Sequence, residues 1–165
     1  IEEIFSIYRS KTARYSISVP VVLGMYLNNE TESLIKKSFL VGEALGIAFQ
    51  MKDDELGVFG QEKNTGKGVF KDISKDKKTI LRHLLLGILS KDEKSKIESL
   101  FGKEDLSKEE ISFLMDTLER YEIKNKHQAM MNDYIKKSQK LYRTLPVKYK
   151  NIFEFIKEYN QNREK

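Results

Sequence analysis

Residues 32–56 read ESLIKKSFLVGEALGIAFQMKDDEL, and within them Ile35, Phe39, Leu45, Phe49 and Leu56 recur at helical spacing while Leu34, Val41 and Ala48 widen the apolar stripe. The run predicts one long helix over Glu32 to Leu56. Asn28, Asn29 and Thr31 stand just before it and are expected to supply its N-terminal cap. Gly42 and Gly46 lie four apart, a spacing that lets a second helix come close.

Downstream the pattern stops between Gly57 and Asp76, where Gly57, Gly60, Gly66 and Gly68 gather among polar residues, so a functional loop is expected. Helical spacing returns with Ile80, Leu81, Leu84, Leu85 and Ile88, then from Ile97 to Phe101, and again from Ser107, which forms a capping box with Glu110. Two further helices are predicted, over Lys126 to Leu141 and Pro146 to Asn162, with Pro146 suited to a first turn. Upstream, Tyr15 to Leu23 would read as a strand on propensity because of Ile17, Val19, Val21 and Val22. A lone strand would have no partner, so a helix bent near Pro20 is expected. The fold class is all-α, in a single structural unit spanning residues 1–165.

The chain has 165 residues, enough for one domain with its own core, and few Pro and Gly, which again favours helices. It contains no cysteine, which excludes disulfides and thiolate metal sites within it. The formal charge of +5 suits any polyanion: nucleic acid, an anionic membrane surface or a diphosphate ester. Its lysines are scattered among Asp and Glu, as in Lys91 to Lys96, and no Arg-rich run interleaves with aromatics, which argues against nucleic acid. No apolar run is long enough to span a bilayer and the start lacks the features of a signal peptide, so a cytoplasmic protein is expected.

Three segments carry chemistry. In Phe49-Gln50-Met51-Lys52-Asp53-Asp54-Glu55-Leu56-Gly57, residues Gln50, Asp53, Asp54 and Gly57 stand at i, i+3, i+4 and i+7, so the amide and at least one carboxylate share a helix face. Such a face suits Mg²⁺, which takes one or two carboxylates and completes its shell with phosphate oxygens and water. An Asp pair near a helix end is ordinarily a solvated surface, but the apolar run Leu45 to Phe49 before it points this one inward. Lys11-Thr12-Ala13-Arg14-Tyr15 is the second segment, and Gly66-Lys67 with Asp72-Ile73 and Lys77-Lys78-Thr79 is the third. The Gly-Lys pair suits phosphate but is not spaced as a Walker A motif.

In this order and spacing, KTARYS with its following Pro20 and Gly24, GEALGIAFQMKDDELGVFG and TGKGVFKDISKDKKT resemble the consecutive C-terminal motifs of the trans-isoprenyl diphosphate synthases, among them farnesyl and geranylgeranyl diphosphate synthases. The resemblance covers about Arg9 to Thr79 in specific motifs and continues loosely to a basic end with Arg163 and Lys165. It implies a helical bundle around a central cavity, with helix-borne acids pointing into the bundle. It further implies that Asp53 ligates Mg²⁺ directly and Asp54 supports it through water, with Gly57 where the fullest DDxxD motif has a third Asp. Lys11, Lys67 and Lys77 would contact the diphosphate of the allylic substrate. Thr12 and Gln50 would place neutral oxygens beside the allylic cation, and Phe49 would pack against isopentenyl diphosphate.

Nothing in the chain matches that family's first aspartate-rich motif or its basic isopentenyl diphosphate site. The resemblance therefore implies a C-terminal half, completed by an N-terminal-half synthase chain in a hetero-oligomer and inactive alone. A truncated or cleaved piece of an ordinary synthase is one competing reading. A non-catalytic modulator subunit is another, against which stands the presence of Lys11, Gln50, Asp53, Lys67 and Lys77. A basic nucleic-acid binder rests on charge alone.

Overall fold

The computed structural model describes residues 1–60 and 70–163. Among them every regular element is helical: α1 (Glu2–Tyr8), a π-helical stretch (Arg9–Ser18), α2 (Val19–Leu27), α3 (Glu32–Phe59), α4 (Lys71–Ser74), α5 (Ile80–Ile88), α6 (Lys91–Glu98), α7 (Lys108–Arg120), α8 (Ile123–Tyr142) and α9 (Val147–Gln161). The chain divides into two compact units, one of residues 2–52 with 130–163 and the other of residues 53–129.

In the first unit α2, α3, the end of α8 with the turn after it, and α9 bury one core of Val22, Met25, Ile35, Val41, Leu45, Tyr142, Leu145, Tyr149 and Phe153. The fully buried Phe153 is worth roughly 2–3 kcal/mol of transfer free energy to that core. The expected close approach at Gly42 and Gly46 is present, and its partner is the π-helical stretch. A Cβ added at Gly42 would stand 2.8 Å from Ser18 Oγ, and one at Gly46 only 2.3 Å from Ala13 Cα. These glycines are there because α3 touches the other helix backbone to backbone.

The π register also answers the conflict over Tyr15 to Leu23. The Val19 N–H donates to Arg14 O, five residues back, and Pro20 then falls in the first turn of α2, where its missing N–H costs least. The segment is helical as expected, although its β-branched residues favour strand. It is apolar on both faces: Ile17, Val22 and Met25 are buried, while Tyr15, Val19, Leu23 and Leu27, at four-residue intervals, are all exposed, Leu27 at 86%.

Two details differ from expectation. Asn28 and Asn29 serve the end of α2 rather than the start of α3: Asn28 Nδ2 donates to Gly24 O at 2.7 Å and Asn29 is left-handed with φ 54°. Only Thr31 caps α3, accepting from Leu34 N. In addition α3 runs past Gly57 to Phe59, because Val58 is drawn into the second unit's core.

That second core holds Val58, Ile73, Leu81, Leu85, Ile97, Leu100, Leu114, Leu118 and Ile123. The capping box at Ser107 forms, with Glu110 N donating to Ser107 Oγ at 3.2 Å and Ser107 N to Glu110 Oε2 at 2.9 Å. A second box, Ser90 with Glu93, starts α6. Gly57 has its own reason to lack a side chain, since a Cβ there would stand 2.7 Å from the Asp72 carboxylate.

Candidate active site

Lys11 and Thr12 sit in the π-helical stretch, Lys11 exposed and Thr12 buried. Long π-helical runs are rare and concentrate at functional positions, because they cost regular hydrogen bonding. The Thr12 hydroxyl donates to Gln50 Oε1 of α3 at 2.5 Å, across 38 residues of sequence. The same unit holds Phe49 between two groups from the end of the chain: its ring stacks with Tyr159 at 6.3 Å, and the Arg163 guanidinium lies 4.4 Å from its centroid. Arg14 pairs with Glu43 at 2.7 Å on the flank. Close backbone contact at Gly42 and Gly46 is what lets Thr12 reach Gln50, one turn beyond Gly46.

In the other unit α3 continues through Asp53, which is exposed, and Asp54, which is 3% exposed. Asp72 of α4 lies against Gly57 and forms an ion pair with Lys77. Next to it Asp76 pairs with Lys78 and with Arg82, the latter at 3.0 Å, and the adjacent cations hold its carboxyl below the ordinary carboxylate range. Lys77 thus already has an anionic partner, a carboxylate that a bound phosphate would compete with. Lys67 lies outside the described residues, as does Lys165.

Two carboxylates on one helix, Asp53 open and Asp54 covered, are hard oxygen donors of the kind Mg²⁺ accepts. Among the described residues no group of three or more His, Cys, Asp or Glu side chains could hold a metal by itself. The donor set therefore fits an ion that shares its shell with a phosphorylated ligand, and it does not fit a closed structural site.

Asp72 stands in the third motif segment without a role of its own there, yet its carboxylate lies over Gly57. No local signal links residues 57 and 72. Nor does any local signal mark His127, buried against Glu55. The Arg163 and Tyr159 contacts with Phe49 join the end of the chain to α3, a placement that only the basic end hinted at.

The family model for polyprenyl synthetase matches residues 1–118. The geranylgeranyl diphosphate synthase of Saccharolobus solfataricus is 34% identical over 122 residues, which is 74% of this chain and 36% of that protein. The short chain isoprenyl diphosphate synthase of Methanocaldococcus jannaschii is 33% identical over 119 residues, 72% of this chain and 36% of that protein. In structure, the geranylgeranyl pyrophosphate synthase of Corynebacterium glutamicum, solved with isoprenyl diphosphate and magnesium, superposes with a TM-score of 0.86 at 26% identity, over 98% of this chain and 46% of that one. The chain thus spans about a third of the length of the curated relatives it matches. No described helix is long and apolar enough to cross a membrane. Motifs, helical architecture, structural likeness and the family match over more than two thirds of the sequence agree, and the chain belongs to the polyprenyl synthetase family.

Proposed function

We propose that this chain is the allylic-diphosphate half of a cytoplasmic trans-prenyltransferase, completed by an N-terminal-half chain in a hetero-oligomer. The complex condenses an allylic diphosphate with isopentenyl diphosphate, head to tail, to a short-chain product of the farnesyl or geranylgeranyl class. The observation that carries the reading is the Thr12–Gln50 hydrogen bond, which fixes two neutral polar groups of the family motifs side by side. Further support comes from the exposed apolar stripe Tyr15, Val19, Leu23 and Leu27, a helix face suited to packing against the rest of the fold.

In this reading Asp53, with Asp54 through water, holds Mg²⁺, and Lys11, Lys67 and Lys77 hold the allylic diphosphate. The bound Mg²⁺ supplies charge neutralisation to the departing diphosphate. The lysines stabilise the same developing charge as the C1–O bond breaks and its electron pair leaves with the diphosphate. Thr12 and Gln50 present neutral dipoles to the allylic cation and give it no anion to capture. Phe49, held in its stack, packs against isopentenyl diphosphate, whose double bond attacks C1. A proton then leaves C2 of the isopentenyl unit for the released diphosphate, and the new double bond forms.

The test is an assay with dimethylallyl and isopentenyl diphosphates and Mg²⁺, on this chain with and without the N-terminal-half polypeptide, with products sized. Prenyl product is expected only from the two together. Turnover by this chain alone would refute the split arrangement, and a reconstituted complex retaining near-normal rate with Asp53→Ala would refute the role of Asp53, whose loss should cost about 10²-fold or more.

A further inference from the structure

Glu55 follows the acidic pair in α3 and is 4% exposed, while His127, in the second turn of α8, is fully buried. His127 Nδ1 lies 3.9 Å from Glu55 Oε2, and neither ring nitrogen of His127 has a hydrogen-bond partner. Val58, three residues beyond Glu55, and Ile123, four before His127, both belong to the second unit's apolar core. An imidazole and a carboxylate are therefore set against each other on the inward faces of two helices. A site asked only to fill space takes Leu, Met or Phe without the desolvation that these groups bring.

We infer that Glu55 and His127 are positioning residues, which fix the rotation of the last turns of α3 and so the aim of Asp53. Residues two apart on an α-helix point about 200° from one another. Holding Glu55 inward therefore turns Asp53 outward, and Asp53 is exposed while Asp54 and Glu55 are buried. Apolar packing is non-directional and tolerates small rotations. An imidazole that faces a carboxylate at 3.9 Å holds α3 to one setting, because turning α3 away would leave the ring nitrogens among apolar side chains alone. The inference rests on the reading of Asp53 as the residue that holds magnesium diphosphate.

The experiment measures thermal unfolding of the full chain, with and without Mg²⁺ and inorganic diphosphate, for the wild type, Asp53→Ala, His127→Leu, His127→Gln and the double variant E55L/H127L. The wild type is expected to gain melting temperature with the added ligands and Asp53→Ala to lose that gain. H127L and E55L/H127L should both unfold cooperatively without ligand, so that a change in binding is not a loss of fold. The double variant should nonetheless bind magnesium diphosphate about 10-fold more weakly, the size of effect typical for outer-shell partners of a metal site. H127Q, which keeps an N–H facing Glu55, should bind within about threefold of the wild type on the same reasoning. A double variant with wild-type affinity overturns the inference, as does H127Q that binds no better than H127L. If the wild type gains nothing from the ligands, or Asp53→Ala binds as the wild type does, the reading of Asp53 itself fails, and the inference with it.

Discussion

Replacing Gly46 by alanine would place a Cβ 2.3 Å from Ala13 Cα and 2.7 Å from Ala13 Cβ. The nearer of these is backbone, so no rotamer change can relieve it. α3 and the π-helical stretch would have to part by about 1.2–1.7 Å to restore carbon–carbon contact near 3.5–4.0 Å. Overpacking of this kind costs about 1–3 kcal/mol, and contact with backbone puts Gly46 at the upper end. The gain in helix propensity from Gly to Ala, about 1 kcal/mol, offsets part of that. A net loss of about 2 kcal/mol should lower the melting temperature by about 4–8 °C for a chain of this size. Circular dichroism at 222 nm during a thermal ramp measures it. Gly24→Ala is the control, since a Cβ there meets nothing within 4 Å. It should raise the melting temperature by a few degrees, for a gain of up to about 1 kcal/mol. Ala13→Gly should not rescue Gly46→Ala fully, because the contact with Ala13 Cα remains. Full rescue, or a Gly46→Ala protein that melts with the wild type, would refute the backbone-contact explanation of this glycine.

Thr12→Val keeps the volume and deletes the hydroxyl that donates to Gln50. It should cost about 0.5–1.5 kcal/mol in denaturant unfolding, and no loss would mean the bond carries no net stability. Ser107→Ala should lower the denaturation midpoint by about 1 kcal/mol equivalent without changing the slope, since it removes the cap of α7 and leaves the buried surface intact. Burial, followed by the hydrogen bond to Glu154, pushes the Tyr142 hydroxyl up to about 12. The unfolded tyrosine ionises near 10, so its stabilising contribution is complete below that pH and is lost as pH rises from about 10 to 12. Ultraviolet titration should show a tyrosine ionising late, absent in Tyr142→Phe. The Lys148 and Tyr149 hydrogen bonds hold Glu30 below its ordinary value, so whatever stability it contributes is present above about 4.5 and disappears as pH falls through its folded value. NMR titration of Lys148→Met should return Glu30 toward the ordinary range.

Helical periodicity, caps and motifs are local properties, and they were legible residue by residue. The stripe from Ile35 to Leu56 became α3, the Ser107 and Glu110 pair became a capping box, and Pro146 stands directly before α9. The family too could be read, because its motifs are contiguous runs with fixed spacing. Even the two small residues of α3 announced a close neighbour, though not which one.

What tertiary structure alone decided is what depends on contacts distant in sequence. Nothing local sets a π register for Arg9–Ser18, which adds a residue to a turn where α3 presses Gly42 and Gly46 against it. Spacing could not show that Asn28 and Asn29 close α2, since the same residue types start helices and end them. Nor could it show Asp72 lying on Gly57, or a histidine 72 positions away in sequence from Glu55 meeting it in the core. The candidate site residues were named by sequence because they stand in contiguous motifs of fixed residue type and spacing. Their partners were not, because a partner is chosen by proximity in the folded chain, and proximity leaves no periodic trace.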